Sequence, residues 1–137
     1  MRRDVFNPPT MAPPGPYSHV VRIGPADADL VFISGQIGTD ADGSLIGPGD
    51  IVAQSERAMR NIEAGLAAAG GQLTDIVKLT SYVVDFSRLS ELRALRDRLF
   101  PSDPPTSTTV QVAALFSPDA LIEVDAMAVV PRDRVAS

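Results

Sequence analysis

The sequence predicts an α+β fold, with two helices on one face of a mixed β-sheet. Three observations carry this expectation. Short runs of β-branched and apolar residues at 19–24, 29–38, 75–86, 106–115 and 120–130 have the two-residue period of strands. Two longer segments, 51–69 and 87–101, instead repeat apolar residues every three or four positions. The resulting order, β-β-(β)-α-β-α-β-β, groups strands together rather than alternating them strictly with helices.

Residues 1–16 hold five of the twelve prolines and show no hydrophobic period. They are expected to form an extended lead-in over 1–14. "HVVRIG" at 19–24 is a short strand, and "DLVFISGQIG" at 29–38 a second. In the second, Leu30, Phe32 and Ser34 take one face and Val31, Ile33 and Gly35 the other. Both faces are largely apolar, so both should be covered. Residues 39–50 gather turn formers around Asp42-Gly43, with room for a short return at Leu45-Ile46.

Asp50 can cap the first helix. Its inward stripe runs through Ile51, Ser55, Ala58, Met59, Ile62, Leu66 and Ala69, and Gly70-Gly71 ends it. A strand over 75–86 follows. The second helix carries Leu89, Leu92, Leu95 and Leu99 on one stripe, with Arg88, Arg93, Arg96 and Arg98 on its other sides, and Pro101 stops it. Residues 101–105 form a turn, two strands close the sheet, and 132–137 are a tail. The whole chain, 1–137, reads as a single domain.

In the last strand Ile122, Val124, Ala126, Ala128 and Val130 point one way. Leu121, Glu123, Asp125, Met127 and Val129 point the other. Neither set resembles a solvated face, and two helices can cover only one. The second face is therefore expected to meet another subunit in a closed oligomer.

Composition narrows the chemistry. The chain has no cysteine and one histidine, His19. Thiolate chemistry, disulfides and His-pair catalysis are thereby excluded within one chain. Net charge is −5, with a pI near 4.7. Only one of the twelve basic residues is a lysine, Lys78, and the rest are scattered. This disfavours nucleic-acid binding as the main function. The N-terminus lacks the apolar core of a signal peptide, and no stretch is long enough to span a membrane. A cytoplasmic protein is expected.

Glu123 stands among apolar neighbours, where a carboxylate rarely lacks a partner. Two kinds of role fit: an interface ion pair or rim residue, or a carboxylate that orients a water for attack. Asp125, on the same face, reads as the exposed end of the strand. Tyr17 follows Gly15-Pro16 and either packs or presents its hydroxyl to a pocket. Tyr82 reads as packing, and His19 as a strand-edge or interface residue.

"GPYSHVV" (15–21), "VFISGQIG" (31–38), "QSERAMRNIEAGLAAAGG" (54–71), the segment 75–100 and "IEVDAMAVVP" (122–131) together resemble the Rid, or YjgF, family of reactive-intermediate deaminases. The likeness covers about 13–131. It implies a chorismate-mutase-like fold, a homotrimer with ligand clefts between subunits, and cofactor-free hydrolysis of small-molecule imines and enamines. It assigns Glu123 to hold the attacking water, Tyr17, Ser34 and Gly35 to line the cleft, and the backbone of Thr109 to meet the substrate nitrogen. Ser107 stands where the family pattern Pro-x-Arg-x-x-Val has its carboxylate-clamping arginine. This points to an arginine-lacking branch with altered specificity, or to a trimer that binds a metabolite without turnover. A ribonuclease role fits the charge and the single histidine poorly. Restoring carboxylate capture would need another arginine, such as Arg22, or Arg2 or Arg3 from a neighbouring subunit. Ser107 and Thr109 share a face by alternation. That face is expected to look into the cleft.

Overall fold

The computed structural model describes residues 2–24 and 27–135 and has the expected α+β architecture. Its strands are β1 (Arg2–Phe6), β2 (Val20–Gly24), β3 (Ala28–Gln36), β4 (Ile76–Val83), β5 (Thr106–Gln111) and β6 (Ile122–Pro131). Its helices are α1 (Ile51–Ala68), α2 (Leu89–Leu99) and the single turn α3 (Arg132–Val135). The six strands form one sheet in the order β1-β2-β3-β6-β4-β5. All neighbours are antiparallel except β4 and β5, which are parallel and joined through α2.

α1 begins where Asp50 accepts a hydrogen bond from the Ala53 amide at 3.0 Å. It ends in a paired C-terminal cap. The Gly70 amide reaches the Ala67 carbonyl and the Gly71 amide reaches Leu66, at 3.0 and 2.7 Å. The cap needs Gly70 at φ 84°, which a side chain would resist. The buried stripe of α1 meets β3 and β6. Ile51, Met59, Ile62 and Leu66 pack against Val31, Ile33, Val124 and Val130. Leu92 and Leu95 of α2 are also buried. At the far end of the sheet the fully buried Asp29 pairs with Arg132 at 3.1 Å and Arg22 at 3.9 Å.

Two expectations need correction. Residues 2–6 are a hydrogen-bonded edge strand, with Val5 opposite Val21 and Phe6 opposite Val20. Prolines begin only at Pro8, so nothing prevents these residues from pairing. The next residues are anchored as well: Met11 is buried, and the His19 amide donates to Asn7 Oδ1 at 2.9 Å. The strand expected over 106–115 stops at Gln111, because its partner β4 ends at Val83 and only the Val112 amide still reaches it. Met1 and 136–137 of the expected lead-in and tail lie outside the described residues.

The sheet face away from the helices carries Val5, Leu30 and Val129 at 42, 39 and 37% exposure. Phe32 and Met127, opposite one another across β3 and β6, are half-buried on the same face. In one chain nothing covers this apolar surface among the described residues.

Candidate active site

Glu123 lies near the start of β6 on the uncovered face, opposite Tyr82 of β4. The start of β6 is set by Gln54 of α1, a fully buried amide. Gln54 accepts from the Leu121 amide at 2.8 Å and donates to the carbonyls of Gly47 and Asp119, each at 3.2 Å. Beside Glu123, β3 loses its regular register with β6 between Ile33 and Gln36. Gly35 sits in this irregularity. A Cβ there would lie 2.8 Å from both Cδ and Oε2 of Glu123, so the carboxyl rests against bare backbone. Burial, and then the nearby Asp125 charge, hold the Glu123 carboxyl above its ordinary range.

Asp125 is mid-strand rather than at an exposed end, and the Tyr82 hydroxyl donates to it at 3.2 Å. The Asp125 charge is the leading cause that raises the Tyr82 phenol.

Glu123, Gly35, Ser34 and Tyr17 line one cleft of about 610 Å³, walled further by Phe116 and Pro13. Tyr17 is half exposed, and Phe116 is 99% exposed. The Ser34 hydroxyl donates to the Ser18 carbonyl at 2.6 Å, which leaves its lone pairs for a ligand. The Tyr17 ring stands edge-on to His19, 5.7 Å between centroids. His19 itself is a strut. Its Nε2 bonds the Ala12 carbonyl at 2.7 Å and its Nδ1 the Gln36 amide nitrogen at 3.0 Å. A carbonyl can only accept and an amide NH₂ can only donate, so the proton sits on Nε2.

Within one chain Ser107 and Thr109 do not join this group. β5 runs in parallel register with β4, placing Ser107 beside Leu79 and Thr109 beside Ser81. Leu79 and Ser81 face the helices, so their neighbours do too. Ser107 and Thr109 instead line a second cleft of about 280 Å³ with Ser81, Leu92, Arg93 and Arg96. The Arg96 guanidinium reaches Ser107 Oγ from Nη1 at 3.4 Å, and Nη2 donates to Ser81 Oγ. Sequence reasoning set Arg96 on an outer side of its helix. Its spacing carried a contrary signal: it is four residues after Leu92 and seven after Leu89, on the inward stripe. Arg22 is committed elsewhere, to Asp4 at 2.9 Å and to the Ala69 carbonyl at 2.9 Å. Among the described residues no group of three or more His, Asp or Glu side chains is placed to hold a metal.

Fold and cleft define a small α+β protein with a half-buried carboxylate in a cleft of about 610 Å³. The model of the endoribonuclease L-PSP family matches residues 9–130, and the chain belongs to that family, the YjgF or Rid proteins. It is 34% identical to a RutC family protein of Pyrococcus abyssi, over 90% of this chain and 94% of that one. It is 35% identical to a 2-iminobutanoate/2-iminopropanoate deaminase of Capra hircus, over 94 and 90% of the two chains. A solved Mycobacterium tuberculosis member of the highly conserved YjgF/YER057c/UK114 family superposes with TM-score 0.71 at 38% identity, covering 82 and 85%.

Proposed function

We propose that the chain is a cofactor-free hydrolase of small imines and enamines, acting in the cytoplasm as a trimer whose reaction clefts lie between subunits. The observation that carries this reading is the Glu123 carboxylate, seated on Gly35 and raised in basicity by burial. Such a base can take a proton from water as the water oxygen attacks the imine carbon. The imine enters protonated at nitrogen, so that when its C=N electron pair moves to nitrogen a neutral carbinolamine forms. Glu123 then returns its proton to nitrogen, the C–N bond breaks with its electrons leaving on ammonia, and the carboxylate takes the hydroxyl proton as the carbonyl forms. An enamine enters the same path once protonated at carbon. Relatives named as 2-iminobutanoate/2-iminopropanoate deaminases support the reaction class.

The uncovered apolar face supports the trimer. A neighbour packed there would bring the Ser107 and Thr109 side of one chain towards the Glu123 cleft of the next. With a neutral hydroxyl at 107, specificity differs from that of members with arginine there. His19, held by Ala12 and Gln36, has no nitrogen left for nuclease chemistry.

Ammonia release from imines made in situ by an amino-acid oxidase tests the proposal. Wild type is expected to turn over at least one, and Glu123→Ala to lose about 10²- to 10⁴-fold, the usual worth of a general base. Full activity in that variant refutes the role of Glu123. The replacement of arginine by Ser107 favours a second reading, metabolite binding without turnover. A ligand that raises the melting temperature without ammonia release would select it.

A further inference from the structure

We propose that the cleft between α2 and β5 is a carboxylate-binding site, with Arg96 supplying from the helix the guanidinium that position 107 lacks. What the carboxylate is attached to rests on the imine-hydrolase reading. The anion site itself rests on the geometry below.

Arg96 and Arg93 of α2 both line this cleft, and neither has an acidic partner among the described residues. By contrast, Arg98 pairs with Glu56 at 2.7 Å, and Arg88, just ahead of α2, with Glu91 at 2.9 Å. Arg96 touches only the hydroxyls of Ser107 and Ser81, and its Nε is buried with no hydrogen-bond partner. Burial alone lowers its pKa, with no acidic neighbour opposing the shift. A cation drawn out of water without a counter-charge is unfavourable. An anion in the cleft removes that cost.

The rest of the cleft suits a small organic acid. Arg93 adds a second guanidinium, Leu89 and Leu92 an apolar wall, and Thr109 a further hydroxyl, with no carboxylate in the lining. A planar guanidinium fork matches a carboxylate with two parallel hydrogen bonds. Ser107 also gains a reason. Its Oγ lies 3.4 Å from Arg96 Nη1, so an arginine side chain at 107 would compete with Arg96 for the same space. One position or the other carries the clamp.

Calorimetric titration of the full-length protein tests this, with 2-oxobutanoate, its neutral amide and inorganic phosphate as probes. The acid is expected to bind wild type at least tenfold more tightly than either the amide or phosphate. Arg96→Gln should weaken the acid by about 10- to 100-fold, the usual worth of hydrogen bonds to a charged group, and leave the amide unchanged. Its ligand-free melting temperature should equal or exceed wild type, which separates lost binding from lost folding. Ser107→Arg alone should weaken the acid, whereas Ser107→Arg with Arg96→Ser should recover it, a non-additive cycle. Equal affinity of acid and amide, or undiminished acid binding by Arg96→Gln, overturns the proposal. Turnover is read separately from binding. If wild type binds the acid through Arg96 but releases ammonia from no imine, the hydrolase reading fails while the anion site stands.

Discussion

Glu123 gains its basicity from two sources that can be separated. Burial is the larger, and Asp125, two residues along the same strand face, adds to it. Both stabilise the protonated form, so Glu123 keeps its proton to a higher pH than a solvated glutamate does. If the ionised form is the active one, kcat/KM falls as pH drops through this raised pKa. Asp125→Asn removes the like charge, lowers the Glu123 pKa and should move the acid limb of the pH–rate profile to lower pH. Since burial dominates, the limb should remain above the ordinary glutamate range. A limb that stays in place or moves upward would assign the titration to another group. Glu123 itself was visible in the sequence as a lone carboxylate among apolar neighbours. Its seat on Gly35 was not, because that contact joins two strands through an irregular register that no local pattern encodes.

At the level of elements, the period-two and period-3.6 patterns gave the right strands and helices, and the caps at Asp50 and Gly70-Gly71 gave the bounds of α1 closely. Where the reading missed, pairing rather than propensity decided. β1 forms because an edge of β2 is available to it, and β5 ends because β4 does. The same holds for the face of Ser107. Alternation showed that 107 and 109 point together, but their direction follows from parallel register with Leu79 and Ser81, a long-range fact. Gln54 shows how one element positions another. Its amide holds the 47 and 119 carbonyls and the Leu121 amide, joining the turn before α1 to the entry of β6. Gln54→Leu keeps the volume but removes the partner of three part-buried backbone groups. We expect a loss of about 1–3 kcal/mol, read as a lower urea midpoint, because water reaches part of what the amide held. Activity should fall with it, because the 119–121 segment leads directly to Glu123. A change below about 0.5 kcal/mol would mean that water replaces the amide.

Across the whole molecule, the two clefts lie on opposite sides of one sheet, and its uncovered side is apolar. If the subunits pack there, the assembled particle has three times the 14.5 kDa of one chain. Val129, 37% exposed on that side, is a direct probe. Val129→Asp should leave the chain folded, since the side chain faces away from the core, but run as a single chain in light scattering. Turnover should be lost with assembly. A wild type that runs as one chain, or a dissociated variant with full activity, would place the complete reaction centre within one subunit.

The parallel pairing of β4 with β5 through α2 has a consequence for how the protein can vary. Every residue lining the anion cleft falls between Ser81 and Thr109, one uninterrupted stretch of chain. The carboxylate cleft draws on residues from Pro13 to Ile37 and from Phe116 to Glu123. The part that would grip a substrate and the part that would activate water are thus written in separate, non-overlapping passages. A change of guanidinium from strand to helix stays inside the first passage and leaves the second untouched. The recognition half could be exchanged between relatives as a cassette, with the reaction chemistry inherited unchanged.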